Sequence, residues 1–445
     1  MKYTKTVLLM LSSALLATPE VNTFSEVFSE AQTSGNIKYY YIQTDKDFET
    51  LNSTSANANS IGGKLSFKTA SLYGFRSGAT FMTTNPFLLD NRVDSSIIGK
   101  DNGVRSGNAK DGFSVLGEGY IAYNYNNFDF LYGRQVIKTP LIHAKEVRML
   151  PSSVEGGFFN YKINKKSVYT LAYLEKFKQR TSDTFVNMQE HALGNKTEAI
   201  TGSKTGSVFM AGVDYKQDEY TLKVYDYYAN DFLNTIYLDV SYKTDVSNLQ
   251  LTFSGQYINQ KSIGNADTNL KNDLTLAGGA INVNAFGAKV VAKLSKSKFI
   301  VAYSNILRDE DSHDSLVLPW DGTPLFANMI TSNDLFQSLY GNALKADSIY
   351  IGGSQGIKLA YNQKFNLFGE NLSTTISYLN TSNSRTGFHK AQRDYNIVLG
   401  YKANKAFSVA LKGIWVQNNS GADATGEITQ LKLLSQYRVI TNYKF

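Results

Sequence analysis

From Ser34 to the last residue, Phe445, apolar and polar side chains alternate with a period of two, and this pattern limits the fold more than any other feature. In GNIKYYYIQ, Ile37, Tyr39 and Tyr41 fall on one face against Lys38 and Tyr40. In EGYIAYNYNN, Ile121, Tyr123 and Tyr125 oppose Ala122 and Asn124. RDYNIVLGYK sets Tyr395, Ile397, Leu399 and Tyr401 against Asp394, Asn396, Gly400 and Lys402. KAFSVALKGIWV sets Phe407, Val409, Leu411 and Trp415 against Ser408, Ala410 and Lys412. Such segments are strands with one apolar face, and no helical stretch of useful length intervenes to make βαβ units.

The connections alternate as well. Short ones follow Tyr125, Ile163, Lys216, Lys243, Leu294 and Ala403. Long ones run over about 45–59, 85–114, 137–155, 178–206, 261–285, 307–348, 381–392 and 418–430. Tight turns then share one end of the molecule and long loops the other. The expected fold is all-β: a transmembrane antiparallel up-and-down β-barrel over 34–445, of about 18 strands, with long external loops. The first strand is centred near Tyr39 and the last near Val439, and 276–284 is read as loop because a further strand would break the even count. A barrel this wide cannot be filled by side chains alone and encloses a lumen.

The closing stretch SQYRVITNYKF fits the same reading. In lipid every backbone group must be bonded within the protein, so the last strand is expected to pair along its length with the first. Tyr437, Val439, Thr441 and Tyr443 then face lipid, while Gln436, Arg438, Asn442 and Lys444 face water. A terminal Phe445 is similar to the end signature that barrel-assembly machinery reads. Among aromatic residues, Tyr 29 and Phe 26 dominate over Trp 2, which suits a surface meeting both lipid and water.

The N-terminus, MKYTKTVLLMLSSALLATPE, carries Lys2 and Lys5, an apolar run from Val7 to Leu16, and small residues at Ala14 and Ala17. This reads as a signal peptide over 1–19, too short for a membrane helix, with a greasy first strand as the alternative. Residues 20–33 form a lead segment expected at the periplasmic side. Phe24, Val27, Phe28 and Ala31 have helical spacing there, so it is a short amphipathic turn or a simple linker. Without cysteine there is no disulfide framework or thiolate metal site. The net charge of +7 is scattered rather than clustered, which argues against a nucleic-acid partner.

One stretch carries a family resemblance. YGRQVIKTPLIHAKEVRMLPSSVEGGFF, 132–159, resembles the equivalent part of OprD-type outer-membrane porins, through Gly133-Arg134-Gln135, Thr139-Pro140, Arg148-Met149-Leu150-Pro151 and Val154-Glu155-Gly156. LVLPWDGTPLFAN, 316–328, is similar to the aromatic–Gly–Pro segment of the family's long seventh loop, and VYDYYANDFLNTIYLDVSY, 224–242, to its tyrosine-rich hairpin. The resemblance implies that loop 137–155 folds inward as a constriction, narrowing the lumen with loop 307–348. It also implies a row of basic wall residues that draws carboxylate-bearing solutes. The family's row is usually arginine-rich, and this one is mostly lysine.

By alternation the inward basic residues are Lys38, Lys289, Lys293, Lys358, Lys402, Lys412, Arg438 and Lys444, with Lys358, Lys412 and Arg438 nearest mid-barrel. His143, Lys145 and Arg148 ride on the inserting loop, and Arg385, Lys390 and Arg393 sit above the sixteenth strand. A narrow aqueous path focuses the field of the charges that line it. Glu118, Asp129 and Glu175 are expected to compensate some of these cations. Glu146 and Glu155 on the constriction, with RDEDSHD at 308–314, favour the opposite selectivity.

Catalytic motifs fail on context. GGSQG at 352–356 matches a nucleophile elbow in letters, but an alternating strand follows Ser354 where a helix is required. His143, His191, His313 and His389 fall in loops without metal spacing, and only Asp309, Asp311 and Asp314 gather oxygen donors, as a weak divalent-cation candidate lacking the EF-hand glycine. No cofactor and no enzyme activity are expected. The expected function is passive diffusion of small hydrophilic solutes, carboxylates, amino acids or anions, across a Gram-negative outer membrane, among its lipids and lipopolysaccharide, as a monomer or homotrimer. The alternatives are a cation-preferring porin of the same shape and a non-conducting anchor or adhesin barrel.

Overall fold

The computed structural model describes residues 18–48, 53–87, 112–145, 147–164, 166–330, 343–344, 348–367, 370–383, 391–419 and 431–445. Eighteen long strands run through these residues. They are β1 (Gln32–Phe48), β2 (Thr54–Lys68), β3 (Phe75–Pro86), β4 (Phe113–Tyr125), β5 (Phe128–Gln135) and β6 (Ser153–Asn164). Next come β7 (Ser167–Lys178), β8 (Val208–Lys216), β9 (Tyr220–Ala229), β10 (Leu233–Val246), β11 (Leu249–Ser262) and β12 (Asn282–Leu294). The last are β13 (Ser297–Ile306), β14 (Ser354–Leu367), β15 (Glu370–Asn383), β16 (Ala391–Lys402), β17 (Phe407–Asn419) and β18 (Leu431–Lys444).

Each strand pairs antiparallel with its neighbours in chain order, and β18 returns to β1 in a register from Asn36↔Lys444 to Lys46↔Leu434. Phe445 extends that seam by exchanging backbone hydrogen bonds with Gly35, at 2.9 and 3.1 Å. The cylinder is therefore closed and has no edge to satisfy in lipid. The segment 276–284 is loop only up to 281, because β12 begins at Asn282.

The outer face is greasy by the expected parity. Ile121, Leu171, Val240, Val301, Leu359, Ile376 and Leu411 are exposed along its middle. Aromatic pairs flank this band on both sides. Phe75–Tyr123, Phe128–Tyr161, Tyr220–Tyr242 and Phe299–Tyr361 lie toward the short turns, with ring centroids 4.5 to 4.9 Å apart. Tyr173–Phe209, Tyr257–Phe286 and Tyr378–Tyr395 lie toward the long loops at 5.0 to 5.1 Å. Rings that are apolar in body and polar at the tip settle where hydrocarbon meets headgroups, so the two belts mark the two interfaces.

The tight turns 126–127, 247–248 and 295–296 open on Asn126, Ser247 and Ser295, with φ of 50, 54 and 51°. Left-handed residues match the twist of two-residue hairpins. At this same end lies α1 (Phe24–Ser29), capped by Thr23 and Glu26 in a capping box. Its Val27 packs with Val21 and Ala70 under the first turn, so the lead segment is helical rather than a simple linker.

Candidate functional site

Register carries the inward charges into lines around the wall. Lys293 on β12 pairs with Lys298 on β13, and the same cross-strand row continues through Asn362, Thr375 and Val398 to Lys412 and Arg438. A parallel row holds Lys289, Ala302 and Lys358. Strands in a barrel tilt, so each row climbs obliquely from the short turns toward the loops. Arg438 is buried and held in place: its Nε donates to Gln436 Oε1 at 2.7 Å, and Gln436 donates to Thr44 Oγ1 at 2.8 Å.

Among the described residues, parts of three loops pack against the inward side chains of the cylinder. In 136–152, the carbonyls of Arg148 and Met149 accept from Lys38 Nζ, at 3.2 and 3.0 Å, and that of Val147 accepts from Tyr40 Oη at 2.9 Å. On another part of the wall, Tyr227 Oη accepts from the Leu141 amide at 3.4 Å. In 307–353, Asn328 O accepts from Lys358 Nζ at 2.6 Å, and Lys289 lies over the Phe326 ring at 3.8 Å. The loop 179–207 contributes α2 (Met188–Leu193) and α3 (Thr197–Thr201), which bury Met188, Leu193 and Ile200 in one apolar cluster with Ile142, Trp320 and the wall residues Tyr225 and Tyr227.

The loops meet at Asp321. Its carboxylate accepts from Arg180 and from Ser152, its backbone bridges Ile142, and Gly322 N donates to Leu141 O at 3.0 Å. Burial pushes the Asp321 carboxyl up, but Arg180, Lys145, Ser152 and His191 outweigh it and hold it below the usual range. Trp320 Nε1 donates to Met188 O at 3.0 Å, tying the third loop in.

His191 is buried against Phe177, with ring centroids 4.6 Å apart, and burial pushes its pKa down to about 4 despite the pull of Asp321. The folded junction therefore prefers neutral imidazole, whereas an unfolded loop takes up the proton near the ordinary 6.5. The stabilisation is complete above that value and is lost as pH falls toward 4, by up to about 3 kcal/mol. Amide exchange in 179–207 is expected to quicken over this window, and His191→Phe to remove the pH dependence. Equal exchange at pH 7 and pH 4.5 would show that His191 does not titrate with opening.

The expected site residues divide. Lys358, Lys412 and Arg438 lie on the inward face, as do Lys38, Lys289, Lys293, Lys402 and Lys444. Lys145 and Arg148 are buried in the loop rather than presented to solvent, and His143 is half-buried, its Nδ1 accepting from the Lys145 amide at 2.9 Å. Arg393 is a correction: it is exposed on the parity of Tyr395 and Ile397, on the outer face, while its inward neighbour is Asp394. Arg385, Lys390 and Glu146 lie outside the described residues.

Glu155 and Glu175 are corrections too. Glu155 lies within β6 on the outward parity of Phe159, where it pairs with Arg134 at 2.8 Å and Lys176 at 2.7 Å, and Glu175 accepts from Tyr132 Oη on the same face. Glu118 and Asp129 do point inward, where Asp129 pairs with Arg76 at 2.8 Å. Asp309 and Asp314 serve as turn acceptors, for the amides of Asp311 and Asp309 at 3.2 and 3.0 Å. Among the described residues no group of three or more metal-ligating side chains forms.

A closed cylinder with a greasy band, two aromatic belts and a polar, lysine-bearing inner wall defines an outer-membrane channel of the porin class. More narrowly, the chain belongs to the OprD family: a family described as "outer membrane porin, OprD family" matches residues 28–443. Its members are passive channels of Gram-negative outer membranes, not enzymes.

The fold is similar to that of OccK9 (OpdG) from Pseudomonas aeruginosa, at 14% identity and a TM-score of 0.72 over 94% of this chain and 99% of that one. OccK8 (OprE) of the same organism has 16% identity and a TM-score of 0.69 over 97% and 99%. OccAB1 of Acinetobacter baumannii has 15% and 0.68 over 94% and 97%. No curated protein matches the sequence.

Proposed function

We propose that this channel passes small carboxylate-bearing solutes and other monovalent anions by diffusion. The observation that carries this is the oblique row of Lys293, Lys298, Lys412 and Arg438, which offers successive cations from one end of the lumen toward the loops. Loop 136–152 leans on β1 and loop 307–353 on β16, where Ile330 N donates to Asn396 Oδ1 at 3.2 Å. The two flank the wall that bears Lys412 and Arg438, and the narrowest part of the path runs between them. Arg438 is buried there with Nε and Nη2 both donating to Gln436, so it adds a fixed positive field to this stretch of the path rather than a direct contact. A solved relative at 14% identity, OpdK of Pseudomonas aeruginosa, has a structure with vanillate, an aromatic carboxylate, which supports the same class of solute.

Residues 1–19 act as an export signal in this reading, and Phe445 is the residue that the assembly machinery engages.

Reversal potential in a salt gradient tests the proposal. Wild-type protein is expected to favour chloride over potassium, and Arg438→Ala to lower that ratio by roughly two- to fivefold, the effect of removing about 0.4–1 kcal/mol of screened attraction. A wild-type preference for potassium would instead support the cation-selective reading, carried by inward Asp239 and Asp394.

A further inference from the structure

We infer that the short-turn end of the lumen holds a binding site for small anions of three or more charges. Lys293 and Lys298 are direct cross-strand partners, both inward and both exposed. Like charges placed directly opposite each other destabilise a sheet, so this pair weakens the wall unless an anion lies between its ammonium groups. Lys289 stands four residues along the same inward face, and Lys243 joins from β10 through Thr252 and Val291. Lys296, in the turn, meets Lys364 of β14, whose amide donates to Lys296 O at 3.1 Å.

With Lys216, these side chains line one cavity of about 690 Å³. Among the described residues, only Asp218 and Glu219, in the neighbouring turn, bring carboxylates to it. Among the described residues, no carboxylate is within ion-pair distance of Lys243, Lys293, Lys296, Lys298 or Lys364. Ser241, Thr252, Ser254 and Asn362 add neutral donors to the same lining. A second cavity of about 730 Å³ shares Lys296 and Lys364 and adds Lys402.

The chemistry of the lining selects its ligand by valence. An ammonium is a compact point charge without the planar fork of arginine, and here it stands in water. A single carboxylate gains little from one screened lysine, since attraction fades over about 8 Å at physiological salt. A pyrophosphate or a tricarboxylate places several charges within that range of several lysines at once, and the cavity has room for either. Bound at the periplasmic mouth, such an ion reverses the local field and slows the monovalent anions that follow. The inference rests on the proposed anion path only in that the cavity opens into the same lumen.

The test is block of chloride current through single full-length channels in planar bilayers. Inorganic pyrophosphate added at the short-turn side is expected to block at a concentration at least about tenfold lower than at the loop side. Lys293→Gln with Lys298→Gln should raise the half-blocking concentration by about tenfold or more, while Lys293→Arg with Lys298→Arg keeps it. Heat-modifiable gel mobility checks that each variant is folded. Citrate in place of pyrophosphate separates valence from phosphate chemistry: block by both assigns the site to oligovalent anions at large, and block by pyrophosphate alone assigns it to condensed phosphates. Pyrophosphate that blocks no better than acetate, or equally well after the double glutamine substitution, overturns the site. Reversal potential without pyrophosphate tests the proposed solute class separately, so a cation-preferring channel still blocked by pyrophosphate would retain the site and lose that class.

Discussion

Asp321→Asn is expected to give a channel with higher and noisier conductance in an intact barrel. Asp321 is fully buried where loops 136–152, 179–207 and 307–353 meet, and its carboxylate is the acceptor for Arg180 and Ser152. Its φ of 64° lies in the left-handed region, which asparagine tolerates well, so the substitution removes charge without straining the backbone. Arg180 is then left buried without its counter-charge, at a cost of about 3–5 kcal/mol.

That cost falls on the loop junction and not on the strands, which are held by their own ladders. Loop opening should rise while heat-modifiable mobility stays at the wild-type temperature. Adding Arg180→Leu to Asp321→Asn removes the stranded charge and is expected to restore much of the quiet current. Unchanged conductance and noise in the single variant would mean that the loops are anchored elsewhere, through Lys38 and Lys358.

Leu411→Arg should do the reverse and damage the barrel itself. Leu411 is exposed on the outer face, paired with Leu399 and Val439, midway between Phe407 toward the short turns and Trp415 toward the loops. An arginine at the bilayer midplane of such a wall costs about 2–4 kcal/mol, falling toward the interfaces. The next residue, Lys412, faces the lumen opposite Arg438, and Lys412→Leu should leave folding near wild type while changing ion selectivity. Urea titration of folding into liposomes measures both. If Leu411→Arg and Lys412→Leu lose similar stability, the inside–outside assignment of β17 is wrong.

The loops are where reading the sequence succeeded least. Alternation correctly assigned Lys358, Lys412 and Arg438 inward, because a strand offers only two faces and one of them must meet lipid. Glu155 reads in the sequence as part of the constriction loop, but β6 already begins at Ser153 and carries it on the outward parity of Phe159. Arg393 has the look of a loop residue in the sequence, but β16 already includes it and sets it outward. Arg180 and Asp321 are 141 residues apart, so their pairing left no local trace, and the WDG stretch holding Asp321 showed only as a family resemblance. The inward turn of Tyr225 and Tyr227 was visible in parity but masked by the tyrosine at 228, which faces lipid.

The sequence by itself determined the closed cylinder, its even strand count and which face of each strand meets water. Lipid imposes these through a period of two and a ban on open edges, and both are written residue by residue. Only the tertiary structure decided how the three loops enter the lumen, which cations hold carbonyls and which stand in water, and how β12 and β13 bring Lys293 and Lys298 together. Those outcomes depend on register and on contacts between distant segments, where the energy of a charge is set by neighbours that the chain order does not reveal.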